Sequence, residues 1–145
     1  MIQLDVPLLF QRQTMECWHA SARMLHAFRR RCVDPLSAVR TANTGISAAQ
    51  FIDLARDAGL STVPVVRQTF GAQLIEHMLK LYGPLWCAGR WDGVNHIVVT
   101  TGVDGGGRLM INDPNPAVGY RAQDLGWFNE RLAADVRNPI MYLTS

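Results

Sequence analysis

The hydrophobic period of the chain changes once, at Gly83-Pro84, and nothing else in the sequence constrains the fold as much. Before it, apolar residues recur at three- and four-residue steps, as on one face of a helix; after it, short apolar runs alternate with Gly-rich turns, as in strands. From Cys17 to Cys32, Trp18, Ala22, Leu25 and Phe28 or Arg29 share one helical face, with Thr14 as the expected N-cap and Cys17 in the first turn. Asp34-Pro35 is expected to open a second helix to about Ala42. Ser47 caps a third, with Phe51, Leu54, Ala55 and Ala58 as its apolar stripe and Gly59 as its stop. A strand at Leu60–Val66 and a helix at about Gly71–Leu81 complete the first half.

In the second half, strands are predicted at Leu85–Trp91, Val94–Val103 and Arg108–Asp113, divided by Asp92-Gly93 and by Asp104-Gly105-Gly106-Gly107. Two successive hairpins make an antiparallel meander. A short helix near Gln123–Leu132 and a last strand, Ile140–Thr144, follow. Helices first and an antiparallel sheet second define an α+β fold. At 145 residues and 48% hydrophobic composition, the chain is sized for one domain, 1–145, with no repeat or linker inside it.

Charge narrows the function. Fourteen basic residues against 12 acidic ones give a net charge of +2, too balanced to imply a nucleic-acid partner. The Arg29-Arg30-Arg31 cluster is read as the cationic end of a helix. No apolar run approaches the ~20 residues of a membrane span, and no basic segment with an apolar signal core opens the sequence. The expectation is a protein soluble and cytoplasmic as synthesised, with no membrane partner, cofactor or metal. Three cysteines, Cys17, Cys32 and Cys87, cannot all pair and form no close C-x-x-C, which favours a reducing compartment and a chemically employed thiol.

Cys17 is the candidate. In the first turn of a helix a cysteine faces unpaired N–H groups and the positive dipole end, which favour a thiolate. Cys32 and Cys87 are read as structural. Gln11, six residues before Cys17, lies where the chain turns toward the helix; its amide and the Cys17 N–H would together form an oxyanion hole. Gln13 is a second candidate amide.

Among the histidines, His19 is roughly 200° round the helix from Cys17, His26 lies two turns further on, and His77 sits beside Glu76 and Lys80 as a structural residue. His96, near the start of an apolar strand that would hold its ring rigidly, remains as the base.

The stretch Gln11-Arg12-Gln13-Thr14-Met15-Glu16-Cys17-Trp18 resembles the papain-like cysteine peptidases, in which a glutamine, five intervening residues, cysteine and tryptophan carry the oxyanion donor and the nucleophile. Val6-Pro7-Leu8-Leu9, Ala20 and Met24 are similar to the compact bacterial branch of AvrRpt2-type effector proteases and bacteriocin-processing peptidases. The match follows the order of the whole chain, with specific motifs at Gln11–Met24 and His96–Pro114; His19 is unusual so close to the nucleophile. The resemblance implies a papain-like fold with the base at His96, ahead of Ile97-Val98-Val99.

The residue that orients His96 depends on strand register. A two- or four-residue loop at Asp104–Gly107 would set Val103 opposite Arg108 and Val98 opposite Asp113, putting Asp113 diagonal to His96 on one face. A three-residue loop would exchange Asp113 for Asn112, and papain uses an asparagine here. Asn112-Asp113-Pro114 resembles the Asp-Pro of the bacteriocin-processing branch, which selects Asp113.

These residues predict acyl transfer: Cys17 attacks a carbonyl, Gln11 and the Cys17 N–H hold the oxyanion, His96 moves the proton and Asp113 supports the imidazolium. Trp18 is expected between helix and sheet, and Trp91 along the cleft. The substrate is expected to be a protein or peptide. Deamidation, transglutamination or other acyl transfer would use the same groups, and a non-catalytic peptide-binding module is the rival of another class. The resemblance further suggests a bacterial effector or toxin, exported without a Sec signal and matched by an inhibitor or immunity protein.

Overall fold

A computed structural model describes residues 1–13, 16–31, 48–64, 69–133 and 139–144. The elements are β1 (Ile2–Gln3), α1 (Cys17–Phe28), α2 (Ala48–Asp57), β2 (Ser61–Thr62), α3 (Ala72–Tyr82), β3 (Leu85–Gly89), β4 (His96–Val103), β5 (Leu109–Asp113), β6 (Gly119–Gln123), α4 (Leu125–Arg131) and β7 (Ile140–Tyr142). The α+β division at Gly83-Pro84 holds. Thr14, Cys32, the helix expected at Asp34–Ala42, the Ser47 cap, the side chains of Phe51 and Leu54, and the end of the strand expected at Leu60–Val66 lie outside the described residues.

The strands form one sheet in the order β2-β7-β3-β4-β5-β6, with β1 added to the far end of β4. Every strand pairing is antiparallel, and β3 to β6 run as the expected meander. Both faces of the central strands are covered. Trp86, Ile97 and Val99 pack with Trp18, Met24 and Leu25 of α1 and Ala55 of α2 on one side. Cys87, Val98, Leu109 and Ile111 pack with Ile75 and Leu79 of α3 and Phe128 of α4 on the other. A strand buried on two faces has no polar side, so β3 and β4 read as continuous apolar runs.

Two strands carry no clear sequence signal: β1 is only Ile2 and Gln3, paired with Val103 and Gly102, and β6 has no β-branched residue. α1 begins at Cys17 with Glu16 as its N-cap, in place of the expected cap at Thr14. The Glu16 N–H donates to Gln13 O at 3.2 Å and the Glu16 carboxylate accepts the Arg12 N–H at 3.0 Å. At the other end, Arg30 takes φ 57° and the Arg31 N–H closes onto His26 O at 2.7 Å, a left-handed helix stop. Arg29 and Arg31 donate to the carbonyls of Tyr82 and Thr144, so these two members of the basic cluster tie the end of α1 to other segments.

The β4–β5 hairpin departs from expectation in an instructive way. Asp104 N–H donates to Arg108 O and Gly107 N–H to Asp104 O, leaving the odd loop Gly105-Gly106-Gly107, with Gly107 at φ 81° where other residues are strained. Val103 accordingly pairs with Leu109, not Arg108. A one-residue bulge between Thr100 and Gly102 then restores the register, so that Thr100 pairs with Ile111 and Val99 with Asn112. Continued by one residue, the ladder sets Asp113 opposite Val98 and diagonal to His96. The expected face is reached through an odd loop and a bulge, whose parities cancel.

Candidate active site

The site is assembled where the N-terminus of α1 meets the first residue of β4. Trp18, fully buried, anchors the helix: its carbonyl accepts the Trp86 indole N–H at 3.1 Å. One turn beyond Cys17, Ser21 hydroxyl donates to Ile97 O at 3.5 Å, next to His96. Residues four apart lie on one helical stripe, so the contact that seats Ser21 on β4 also turns Cys17 toward His96. Cys17 is 3% exposed.

His96 holds the centre. Its Nε2 lies 2.7 Å from Oδ1 of Asp113, which is completely buried. The Cys17 side chain lies near enough to the same imidazole to favour its protonated form. Burial disfavours the imidazolium, but the hydrogen bonds to Asp113 and Cys17 and the charges of both outweigh it, and His96 is pushed up to about 9. Asp113 moves the other way. Burial would raise its carboxyl, yet the hydrogen bond and charge of His96, the Asn115 N–H and Arg121 together hold it below the usual range.

Packing decides which of Asn112 and Asp113 meets the histidine. Leu109 and Ile111 are buried in the same face as Asp113, whereas Asn112 points to the opposite face and donates from Nδ2 to Val6 O at 3.0 Å. A one-residue slip would take Leu109 and Ile111 out of that core and bring the polar Asn112 into it.

Gln11 is tied to the same corner: its backbone N–H donates to Pro114 O, directly after Asp113, at 2.8 Å. Its side-chain amide donates to Gln13 O at 3.2 Å, and Gln13 itself is exposed.

The other histidines take the structural places expected of them. His19 is buried with its ring edge-on to Trp18, His26 Nε2 meets Ala58 O at 2.7 Å, and His77 is exposed. Cys87 is fully buried against Thr100, and burial, partly offset by its Thr100 hydrogen bonds, pushes its thiol up to about 12. Trp91 departs from expectation: it is 1% exposed, stacks on Trp127 and Phe128 and donates to Cys87 O, so it packs the core beneath the Asp92-Gly93 turn.

Sequence reasoning missed Arg121, whose Nη1 lies 3.1 Å from Asp113 Oδ2. Nothing local marks it, because its strand has no clear β signal and its partner is eight residues away across a turn. Among the described residues, no group of three or more His, Cys, Asp or Glu side chains is placed to hold a metal ion, and no helix is long and apolar enough to cross a membrane.

The fold with a helix-borne cysteine against a strand-borne histidine is that of the papain-like peptidases, and solved structures share it. A double glycine motif protease from an AMS/PCAT transporter, in complex with the leader peptide, is 24% identical with a TM-score of 0.59, covering 97% of this chain and 91% of that one. The peptidase domain of Streptococcus ComA, a bifunctional ABC transporter of a quorum-sensing pathway, is 16% identical with a TM-score of 0.67, covering 94% and 98%. That of Streptococcus mutans ComA is 18% identical with a TM-score of 0.53, covering 92% and 94%. At these identities the likeness is one of fold. No curated protein matches the chain significantly.

The family itself comes from the sequence profile of the papain-like cysteine protease AvrRpt2, which matches residues 1–133. The chain belongs to that family and is a cysteine peptidase.

Proposed function

We propose that this peptidase hydrolyses a peptide bond with Cys17 as nucleophile, His96 as the proton carrier, Asp113 as the support of the imidazolium and Gln11 as an oxyanion donor. The observation that carries the reading is the position of His96, held 2.7 Å from a buried carboxylate and close enough to Cys17 for the side chain of that residue to favour the imidazolium. A raised imidazole beside a thiol favours the ion pair of thiolate and imidazolium, the reactive form of such a pair.

The chemistry then follows in two halves. The Cys17 sulfur bonds to the substrate carbonyl carbon, and the π electrons move onto oxygen, which the Cys17 N–H and the Gln11 amide receive. His96 gives its proton to the amide nitrogen, the C–N bond breaks, and a thioester remains. Water attacks the thioester while His96 takes its proton, and the acid departs as Cys17 regains its thiolate. Asp113 stays ionised throughout and keeps the ring in place.

The substrate in this reading is a protein or peptide segment that enters extended. The likeness to a protease solved with its leader peptide supports that class. An effector or toxin role in a target cell, restrained by a cognate inhibitor, completes the proposal, on the ground of the AvrRpt2 family.

Mapping new protein N-termini in cells that express the protein and, separately, its Cys17→Ala form tests the reading. New N-termini confined to the intact protein support it. Side-chain deamidation or cross-linking with no new N-termini would replace peptide hydrolysis with another acyl transfer, and equal signals from both forms would remove Cys17 from the chemistry.

A further inference from the structure

The Asp113 carboxylate has two oxygens, and His96 uses one. Oδ1 accepts from His96 Nε2 at 2.7 Å and from the Asn115 N–H at 2.9 Å. Oδ2 accepts from Arg121 Nη1 at 3.1 Å. The same guanidinium meets both oxygens of Asp92 at 3.2–3.3 Å and lies over the Trp127 ring, 4.8 Å from its centroid. Asp92 stands in the turn that leads into His96.

We infer that Arg121 is a positioning residue of this site, holding Asp113 ionised and aimed at His96 while tying the turn before His96 to the same carboxylate. The inference rests on the reading of Cys17, His96 and Asp113 as the reacting set. Its two arms are unequal. The Asp92 side chain is 45% exposed, so water and salt screen that pair, whereas Asp113 is fully buried and Arg121 itself only 15% exposed. A buried carboxylate that loses its cation takes up a proton at higher pH or turns toward another donor, and either change weakens its hold on the imidazolium. Nη1 reaches both carboxylates and Nη2 adds a second bond to Asp92, so the rigid planar group is fixed at two of its nitrogens. The charged groups around Asp113 are His96 from β4, Arg121 from β6, Asp92 through Arg121, and Cys17 of α1 across the imidazole; Arg131 lies over the same Trp127 ring, 5.6 Å from its centroid.

The test uses the full chain and two NMR signals: the 13C titration of the Asp113 carboxyl and the downfield proton of the His96–Asp113 hydrogen bond. In Arg121→Gln the carboxyl midpoint is expected to rise and the downfield proton to be lost. Asp92→Asn should cause no rise. If the Gln variant does not fold, Arg121→Lys carries the test: it keeps the charge but loses the planar group over Trp127, and its downfield signal should weaken. A folded Gln variant with both signals unchanged, or a Lys variant with an unchanged signal, overturns the inference. Iodoacetamide labelling of the unaltered protein separates it from the reading beneath: slow labelling of Cys17 defeats the triad, while fast labelling with unmoved NMR signals defeats Arg121 alone.

Discussion

His96 Nε2 and Asp113 Oδ1 lie 2.7 Å apart on strands whose connecting loop has the wrong parity to bring them together, and the bulge between Thr100 and Gly102 corrects it. Asp113→Ala is therefore expected to reduce turnover by up to roughly 10⁴-fold, though less than His96→Ala, because it transfers no proton. Asn112→Ala should keep most activity and instead lose about 1–3 kcal/mol of stability, since it strips the buried Val6 carbonyl of its donor. Peptidase assays and denaturant melts of both variants decide; an inactive but stable Asn112→Ala protein would reverse the two roles.

The raised His96 makes a signed prediction for pH. Its midpoint lies above the ordinary 6.5, at about 9, so the folded state holds a proton that the unfolded chain releases earlier. The stabilising contribution is complete below pH 6.5 and disappears as pH rises through about 9. Activity should fall over the same alkaline limb. In Cys17→Ala the sulfur's hydrogen bond and charge are gone, and the His96 midpoint should drop. A 15N titration of the ring checks both, and a wild-type midpoint near 6.5 would contradict them.

Iodoacetamide at neutral pH should label Cys17 well before Cys87, whose buried thiol is pushed up to about 12. Cys17→Ala is expected to abolish activity without unfolding the protein, and Cys32→Ala and Cys87→Ala to retain it. Wild-type turnover by Cys17→Ala, with either other variant dead, would move the nucleophile elsewhere.

Gln11→Ala should lower kcat by roughly 10²–10³-fold with little change in KM, the loss expected from one oxyanion donor. Gln13→Ala should be mild, as its exposed side chain contributes less than its carbonyl, which accepts from both Gln11 and Glu16. Steady-state kinetics of the pair would expose the reverse ranking.

Gly89 pairs with His96 across β3 and β4, and a methyl group there would sit 2.6 Å from both Arg131 O and the Trp91 ring. Gly89→Ala should cost about 1–3 kcal/mol, read by thermal or denaturant unfolding, because a backbone carbonyl and a stacked indole are slow to yield. A neutral substitution would mean that the strand edge gives way more readily than its packing implies.

The helix-then-sheet order, the helical setting of Cys17 and the choice of His96 as the candidate base were legible in the sequence, because each rests on local spacing: period 3.6 before Gly83-Pro84, apolar strand runs after it, and four histidines of which three are misplaced. Asp113 was legible only through resemblance. Loop parity alone points to Asn112, and what reverses it is a bulge held by the demand that Leu109 and Ile111 stay buried, a condition set by α3 and α4 across the sheet. Arg121 was not legible at all. Its contacts join a weakly marked strand to a carboxylate across one turn and to Asp92, 29 residues away, and only the folded sheet brings those charges within reach of one guanidinium.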